Sequence, residues 1–208
     1  MDSVTTICQP FYKNASITPI TLEHVGLSSL TTKSVADLVA SLSGTRLGVA
    51  ASYGKKRVLV ALAFSSKSRV LLITMNNNSK PTKVQKKILG DELLCNSSLE
   101  KHGFFMERLA AALFLDFGLH IRHAFDLTSG DSRGSMAAYK TVLERARPQD
   151  SLDGSAVKSI FTERVSILLP RNTGLALRAW ACYVAVQGDP DKPCPIDTSA
   201  RDTKAGSA

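Results

Sequence analysis

The fold is decided by residues 46–75, which read RLGVAASYGKKRVLVALAFSSKSRVLLITM. Three apolar runs, Arg46–Ser52, Arg57–Phe64 and Arg69–Met75, have the length and composition of β-strands. Short polar breaks of hairpin size separate them. The stretch therefore predicts a three-stranded antiparallel meander. Because the second run is apolar almost throughout, we expect that strand to be buried on both faces.

Helical patterns lie on both sides of this meander. Before it, residues 35–42 carry apolar side chains at the spacing of one helix face, with Ser34 as the expected cap and Gly44 as the expected end. After it, Asn76–Ser79 is predicted to be a loop, and Pro81 suits the first turn of a lysine-bearing helix.

The clearest helical pattern follows this lysine-bearing segment and ends at Gly118, which suits a left-handed cap. Its apolar face consists of Met106, Leu109, Ala110, Leu113, Phe114 and Phe117. A short strand at Ile121–Phe125, a helix over about 134–145, a poorly patterned region at 147–173 and a final helix over about 173–187 complete the chain. On the final helix, Trp180 lies in an apolar face and is predicted to pack in the core.

The order is helix, three strands, helix, short strand, helix, short strand, helices. It predicts an α/β fold in which a mixed sheet, the meander plus short parallel strands, is flanked by helices. Residues 1–20 mix proline, asparagine, serine and threonine, and they predict an irregular lead-in. Residues 189–208 are small and polar, and they predict a disordered tail.

Composition narrows the class of protein. No apolar run approaches the roughly 20 residues of a membrane span, and no secretory signal is recognisable at the first residues. The four cysteines, Cys8, Cys95, Cys182 and Cys194, form no C-x-x-C pair, which disfavours a zinc site or a disulfide framework. We therefore expect an intracellular protein of the nucleus or cytoplasm, with Cys95 and Cys182 as buried thiols.

Three stretches carry a resemblance to a known family. Residues 101–109 read KHGFFMERL and are followed by LDFGLHI at 115–121 and FDL at 125–127. Residues 45–52 read TRLGVAAS, and residues 177–185 read LRAWACYVA shortly after Leu169-Pro170. In order and spacing these stretches resemble the 3′–5′ exonuclease domain of the ribonuclease H-like superfamily, the DEDD nucleases. The resemblance covers about residues 20–188 and implies a ribonuclease H-like sheet, with the exonuclease-like domain at 21–188.

The resemblance also implies a chemistry. The family cuts phosphodiesters with two divalent metal ions held by four carboxylates, because Mg²⁺ and Mn²⁺ prefer hard oxygen ligands. The positions that match those acids are Ala50, Ser52, Leu109 and Ala181, and the family's tyrosine falls on Leu177. None of these side chains holds a hard cation. We therefore predict no catalytic residue, no metal ligand and no cofactor, with Mg²⁺ or Mn²⁺ required only if other ligands serve an active enzyme.

The acidic residues nearest in sequence to the matched positions are expected to have structural or surface roles rather than to bind metal. Glu107 is expected to be a solvated helix residue, since it would reach the site only if the helix register slipped by two residues. Asp126 is expected to cap the turn that follows it, near Thr128 and Ser129, and Asp116 is expected at the surface.

The sequence feature that points to a binding partner is its basic charge. The chain has a formal net charge of +8, which favours polyanionic partners. Candidate nucleic-acid-binding residues are Lys55, Lys56, Arg57, Lys80, Lys83, Lys86 and Lys87. Basic residues at strand ends also serve solubility, so three hypotheses stay open. They are an inactive exonuclease-like module that binds nucleic acid or a protein, an active metal-dependent exonuclease with unrecognised ligands, and a protein-interaction scaffold.

Overall fold

The computed structural model of the chain describes residues 2–13, 19–54, 56–75, 81–127, 136–162 and 171–187. Its strands are β1 (Ser3–Ile7), β2 (Ile20–Gly26), β3 (Arg46–Tyr53), β4 (Leu59–Ser65), β5 (Arg69–Thr74), β6 (Glu100–Gly103) and β7 (Ala124–Asp126). Its α-helices are α1 (Thr32–Ala40), α2 (Lys83–Lys87), α3 (Met106–Ala112), α4 (Met136–Ala146), α5 (Gly154–Phe161) and α6 (Arg171–Ala185). Helix α2 continues as a π-helix over Ile88–Leu94, and α3 continues as one over Leu113–Phe117.

The strands form one mixed sheet in the order β1-β2-β5-β4-β3-β6-β7. The meander is confirmed, because β3 pairs antiparallel with β4 and β4 pairs antiparallel with β5. The pairs β2–β5, β3–β6 and β6–β7 are parallel. The predicted combination of an antiparallel meander with short parallel strands is therefore confirmed.

Helices cover both faces of this sheet, and the alternation of strand side chains explains why β4 is apolar throughout. Leu62 and Phe64 belong to the core layer that contains α1 and α3, whereas Ala61 and Ala63 belong to the layer that contains α4, α5 and α6. Trp180 of α6 is buried in the second layer, as predicted, and its indole N–H donates to the Lys67 carbonyl at 3.0 Å.

The N-terminal segment departs from the prediction of an irregular lead-in. Residues Ser3–Ile7 form β1, which pairs antiparallel with β2 at the edge of the sheet. The run is short and nearly all exposed, so it lacks the alternation that marks a half-buried strand. Its β-branched residues nevertheless suit a strand once β2 offers an open edge. Phe11, in the same segment, is fully buried and stacks on Trp180 at 6.1 Å between ring centroids.

The region 147–173 contains a helix that the sequence analysis missed, the eight-residue α5. The carboxylate of Asp153 caps it by accepting from the backbone N–H groups of Ser155 and Ala156. Only Val157 and Ile160 are buried, and two apolar positions are too few to produce a readable periodicity. Helix α1 is likewise capped by Thr31 rather than Ser34, because the Thr31 hydroxyl accepts from the Ser34 backbone N–H.

Helix α3 and its π-helical extension follow the prediction at both ends and depart from it in the middle. Gly118 adopts the predicted left-handed conformation, with φ of 64°. Phe114, predicted to be on the buried face, is 55% exposed, because the π-helical turn rotates the following side chains away from 3.6-residue periodicity. The short strand β7 begins at Ala124, three residues later than predicted.

Lys101 on β6 carries an amine that folding removes from water. Its side chain is fully buried, and its Nζ donates to the carbonyls of Asn96 and Leu99 at 2.6 and 2.7 Å. Burial lowers the pKa of Lys101 from 10.5 to about 8. Between these values the unfolded chain holds the proton and the folded chain does not. This group therefore adds stability as pH rises from about 8 to 10.5.

Replacing Lys101 with methionine should remove that pH dependence. We expect the unfolding free energy of the unmodified protein, minus that of Lys101→Met, to rise by about 1–3 kcal/mol between pH 7 and pH 10. Urea unfolding of both proteins at the two pH values measures this, and the subtraction cancels the other titrating groups. An unchanged difference would show that the amine keeps its ordinary pKa in the folded state.

Candidate functional site

A cleft of about 290 Å³ opens at the carboxyl end of β3, between the start of α3 and the helices α4, α5 and α6. Ala50 and Tyr53 of β3 lie on one side of it, and Phe104, Phe105 and Arg108 border it from α3 and the turn before it. Tyr139, Phe161, Arg178 and Cys182 complete the lining from α4, α5 and α6. The cleft is therefore aromatic and cationic, and no acid is found among its lining residues in the part of the chain that the structure describes.

An aromatic cluster forms one wall of this cleft. Tyr139 and Phe161 stack with their ring centroids 4.4 Å apart, and Phe104 meets both edge-on at 4.7 and 5.4 Å. Phe105 extends the cluster towards solvent and is 36% exposed. Its left-handed backbone, with φ of 61°, lies at the N-cap of α3, so the chain turns sharply to place the two phenylalanines at the cleft.

Arg108 lies over the ring of Tyr53, with its guanidinium carbon 4.0 Å from the ring centroid. This stacking holds a permanent positive charge between β3 and α3. Burial raises the pKa of Tyr53 to about 12, and Arg108 opposes the shift only in part. The phenol is therefore neutral near pH 7, and it provides a ring and a hydroxyl rather than an anion.

Arg178 enters from α6 and is fixed by the end of α5. Its Nε donates to the Ile160 carbonyl at 2.6 Å, and one terminal nitrogen donates to the Thr162 carbonyl at 3.4 Å. These carbonyls lie at the carboxyl end of α5, where a cation is favoured by the helix dipole. These two carbonyls thus hold the Arg178 guanidinium at the cleft.

Cys182 lies at the base of the cleft, one helical turn after Arg178. It is almost fully buried, and burial raises the pKa of its thiol to about 12. A thiol that stays protonated near pH 7 is a poor nucleophile and a poor metal ligand. The prediction of a buried thiol is confirmed here, whereas Cys95 is only half-buried and donates to the His120 carbonyl at 3.3 Å.

The structure brings one of the four predicted carboxylate positions into the lining of the cleft. Ala50 lines it, and Ser52 is half-buried on the same strand. Leu109 is 2% exposed in the core beneath α3, and Ala181 is fully buried in the layer of α6. Leu177, the position matched to the family's tyrosine, is also buried.

The side chains that do line the cleft are the sequence neighbours of the predicted ones, Arg108 beside Leu109 and Cys182 beside Ala181. Neither arginine was predicted from the sequence, because the positions were matched by register to the family's acids. One signal was available: Arg178 and Cys182 are four residues apart, which places them on one helix face.

The acids near this region have structural roles. Asp126 accepts from the Met106 backbone N–H at 2.8 Å and so stabilises the start of α3. The turn that it was predicted to cap, near Thr128 and Ser129, lies outside the described residues. Asp116 is at the surface, as predicted, and accepts from the Leu59 backbone N–H at 2.9 Å. Glu107 is exposed on α3, also as predicted.

The donor set of the cleft does not fit a divalent metal ion. It offers a protonated thiol and phenol hydroxyls, and the two guanidiniums would repel a cation. Within the described ranges there is also no group of three or more histidine, cysteine, aspartate or glutamate residues that could hold one.

The predicted basic residues that fall in the described ranges form two groups, one in the β3–β4 hairpin and one on α2. Lys56 and Arg57 are exposed in the β3–β4 hairpin, and Lys83, Lys86 and Lys87 are exposed on α2. The Lys86 amine lies 3.7 Å from the place a Cβ on Gly118 would occupy, and Asp116 contacts the first residue of β4. Lys55 and Lys80 fall outside the described residues. The hairpin group directly follows Tyr53, a lining residue of the cleft, whereas Lys86 lies near Gly118 at the end of the π-helical extension of α3.

None of the helices in the described ranges is both long and apolar enough to cross a membrane. No protein-family model matches the sequence, and no curated protein matches it.

Solved structures do resemble the chain. RNase D of Trypanosoma brucei aligns with a TM-score of 0.50 and 14% identity, over 84% of this chain and 67% of that one. The NrnC protein of Brucella melitensis, solved with pGG bound, aligns with a TM-score of 0.45 and 12% identity, over 79% and 76%. The EXD2 exonuclease domain, solved after soaking in Mn and GMP, aligns with a TM-score of 0.38 and 18% identity, and the chain spans 60% of its length.

At these sequence identities the comparison bears only on the fold, and the alignment with RNase D is the one that supports the fold assignment. The mixed sheet flanked by helices matches the architecture that the sequence resemblance implies. The chain therefore has a ribonuclease H-like α/β fold.

Proposed function

We propose that this chain is an exonuclease-like domain that binds nucleic acid without cutting it. The observation that carries the proposal is the lining of the cleft, which has two arginines and no described carboxylate where the related enzymes need acids. Phosphodiester hydrolysis by two metal ions requires hard oxygen ligands to hold those ions. A cleft that attracts phosphate but repels metal ions suits binding rather than hydrolysis.

The basic residues support nucleic acid as the partner. Arg108 and Arg178 supply positive charge in the cleft, and the hairpin after Tyr53 supplies more beside it. Helix α2 adds charge near Gly118, at the far end of the π-helical extension of α3. A strand lying along α3 would meet positive side chains at both ends of the helix. Such phosphate contacts are independent of base sequence, so we expect little sequence preference.

Domain limits and compartment belong to this proposal. We assign the exonuclease-like domain to residues 21–188 and place the protein in the nucleus or cytoplasm. The buried free thiol of Cys182 and the exposed free thiol of Cys8 support a reducing compartment.

The test has two readouts on the same purified chain. Incubation with single- and double-stranded RNA and DNA, with Mg²⁺ or Mn²⁺, should leave the strands at full length on a denaturing gel. Titration with labelled oligonucleotides should show binding that weakens by roughly 10-fold or more between 50 and 200 mM salt, because phosphate contacts release counterions. A known exonuclease in the same buffers is the positive control for the first readout.

Two results would contradict the proposal. Metal-dependent trimming from the 3′ end that is lost in Glu107→Gln would establish the active-exonuclease alternative. Absence of binding at 50 mM salt would instead favour the protein-interaction scaffold. That alternative has its own support in the structure, since the neighbouring side chains of Phe114 and Leu115 are 55% and 78% exposed.

A further inference from the structure

Strand β1 forms one edge of the sheet, and within the described ranges no strand pairs with its outer side. It pairs with β2 over five consecutive residues, Ser3–Ile7, without a shift in register. In an antiparallel pair the backbone N–H and C=O groups of alternate residues point away from the partner strand. Part of the polar backbone of β1 therefore faces outwards, and such an edge is a template for one more strand.

The side chains of β1 do little to block that pairing. None of the five is charged, none is proline, and four of them are β-branched, which favours an extended backbone. Val4 is 66% exposed. The other edge of the sheet differs, because β7 has three residues and ends in Asp126. Short length and charge are two means by which sheets prevent edge-to-edge association, and β1 lacks both the charge and the shortness of β7.

A second copy of the chain can approach β1 despite the net charge of +8. The strand is uncharged, Asp2 directly before it is acidic, and Arg69 two strands away is paired with Glu23 and Asp37. The basic β3–β4 hairpin joins strands that lie three and four positions from β1 in the sheet, which is about 14–19 Å at the usual strand spacing. Charges at that distance are largely screened at physiological salt, where the Debye length is about 8 Å.

Symmetry fixes the register of such a pair. Residues directly opposite each other in an antiparallel pair point to the same face of the sheet, whereas successive residues alternate. Two identical strands related by a two-fold axis must therefore place one residue opposite its own copy. Because β1 is centred on Thr5, full overlap of the two strands puts Thr5 opposite the second copy's Thr5. Val4 then lies opposite Thr6, and pairs of this kind are favourable across strands.

We propose that β1 is a dimerisation edge, at which two copies of the chain pair antiparallel about Thr5 and join their seven-stranded sheets into one. Five residues a side is far fewer than the roughly 20–30 of a standard stable interface. Monomers and dimers should therefore exchange, with a dissociation constant in the micromolar range or above. The interface shares no residue with the lining of the cleft, so this inference does not depend on the proposed function.

The test is an exchange of charge at the residue that faces its own copy. Sedimentation equilibrium of the full chain, with any affinity tag at the carboxyl end, should show a reversible monomer–dimer equilibrium between micromolar and millimolar concentrations. Thr5→Lys and Thr5→Glu should each raise the dissociation constant about tenfold or more, because each places two like charges opposite one another. An equimolar mixture of the two variants should restore the dimer, since opposite charges then meet.

Ser97→Lys and Ser97→Glu are the matched controls. Ser97 is exposed in the turn before β6, five strands from β1 in the sheet, and the substitutions change the net charge by the same amounts. They should alter the dissociation constant less than twofold, and thermal unfolding should show that all four variants are folded. A chain that stays monomeric at millimolar concentration would overturn the inference. So would a dimer that survives both Thr5 substitutions, or a mixture that fails to associate.

Discussion

Replacing Gly48 with alanine is expected to cost the folded protein about 3 kcal/mol or more, because α6 lies directly against β3 at this residue. A Cβ on Gly48 would lie 2.1 Å from the Ala179 carbonyl oxygen and 2.5 Å from the Tyr183 backbone nitrogen. Both atoms belong to the backbone of a buried helix, so no side-chain rotation relieves the clash. The helix would have to move away from the sheet.

Chemical denaturation measures this effect, and Gly44→Ala is its control. Gly44 lies four residues earlier, is exposed, and has no atom within 4 Å of the Cβ that alanine would add. We expect Gly44→Ala to unfold within about 0.5 kcal/mol of the unmodified protein. Equal stability of the two variants would show that α6 does not lie on β3 as described.

The second large effect is expected at Leu109, the position that the family resemblance matched to a metal-binding aspartate. Leu109 is 2% exposed and lies in the core between α3 and the sheet. An aspartate there would bury a carboxylate without a partner charge and would lose the packing of the leucine. We expect Leu109→Asp to lower the unfolding free energy by at least about 3 kcal/mol.

Leu115→Asp makes the same chemical change on the following π-helical turn, where the side chain is 78% exposed. It should cost no more than about 0.5 kcal/mol. Urea unfolding of the two variants gives the comparison directly. A stable Leu109→Asp protein that binds Mn²⁺ would mean that this side chain faces the cleft, and the assignment of Arg108 to the lining would then be wrong.

These results bear on whether the cleft can be converted into a nuclease. Restoring acids at Ala50, Ser52, Leu109 and Ala181 together would place charges in two buried positions as well as near the cleft. We expect loss of folding before any gain of metal binding. The described lining of the cleft contains arginine and aromatic side chains and no acid.

Local sequence pattern predicted most of the architecture, although it did not predict β1 or α5. The three apolar runs of residues 46–75 have the length of strands and are separated by polar breaks, so local composition predicted the meander. The apolar periodicity of the flanking sequence predicted helices on either side of it. Gly118 could be placed because its left-handed backbone is a local requirement. The absence of acids at the matched positions was also readable, since it depends on residue identity alone.

Which side chains meet at the cleft depends on tertiary packing. Arg108 and Arg178 are 70 positions apart in the chain, and their approach depends on how α3 and α6 rotate against β3. If α3 or α6 turned about its own axis by the angle of one residue, Leu109 would replace Arg108 at the cleft, or Ala181 would replace Cys182. Hydrophobic periodicity does not fix the rotation of a helix to within one residue. The cap from Asp126 to α3 and the edge strand β1 also arise from contacts between distant segments. Long-range packing sets these features, whereas local hydrophobic pattern sets the elements themselves.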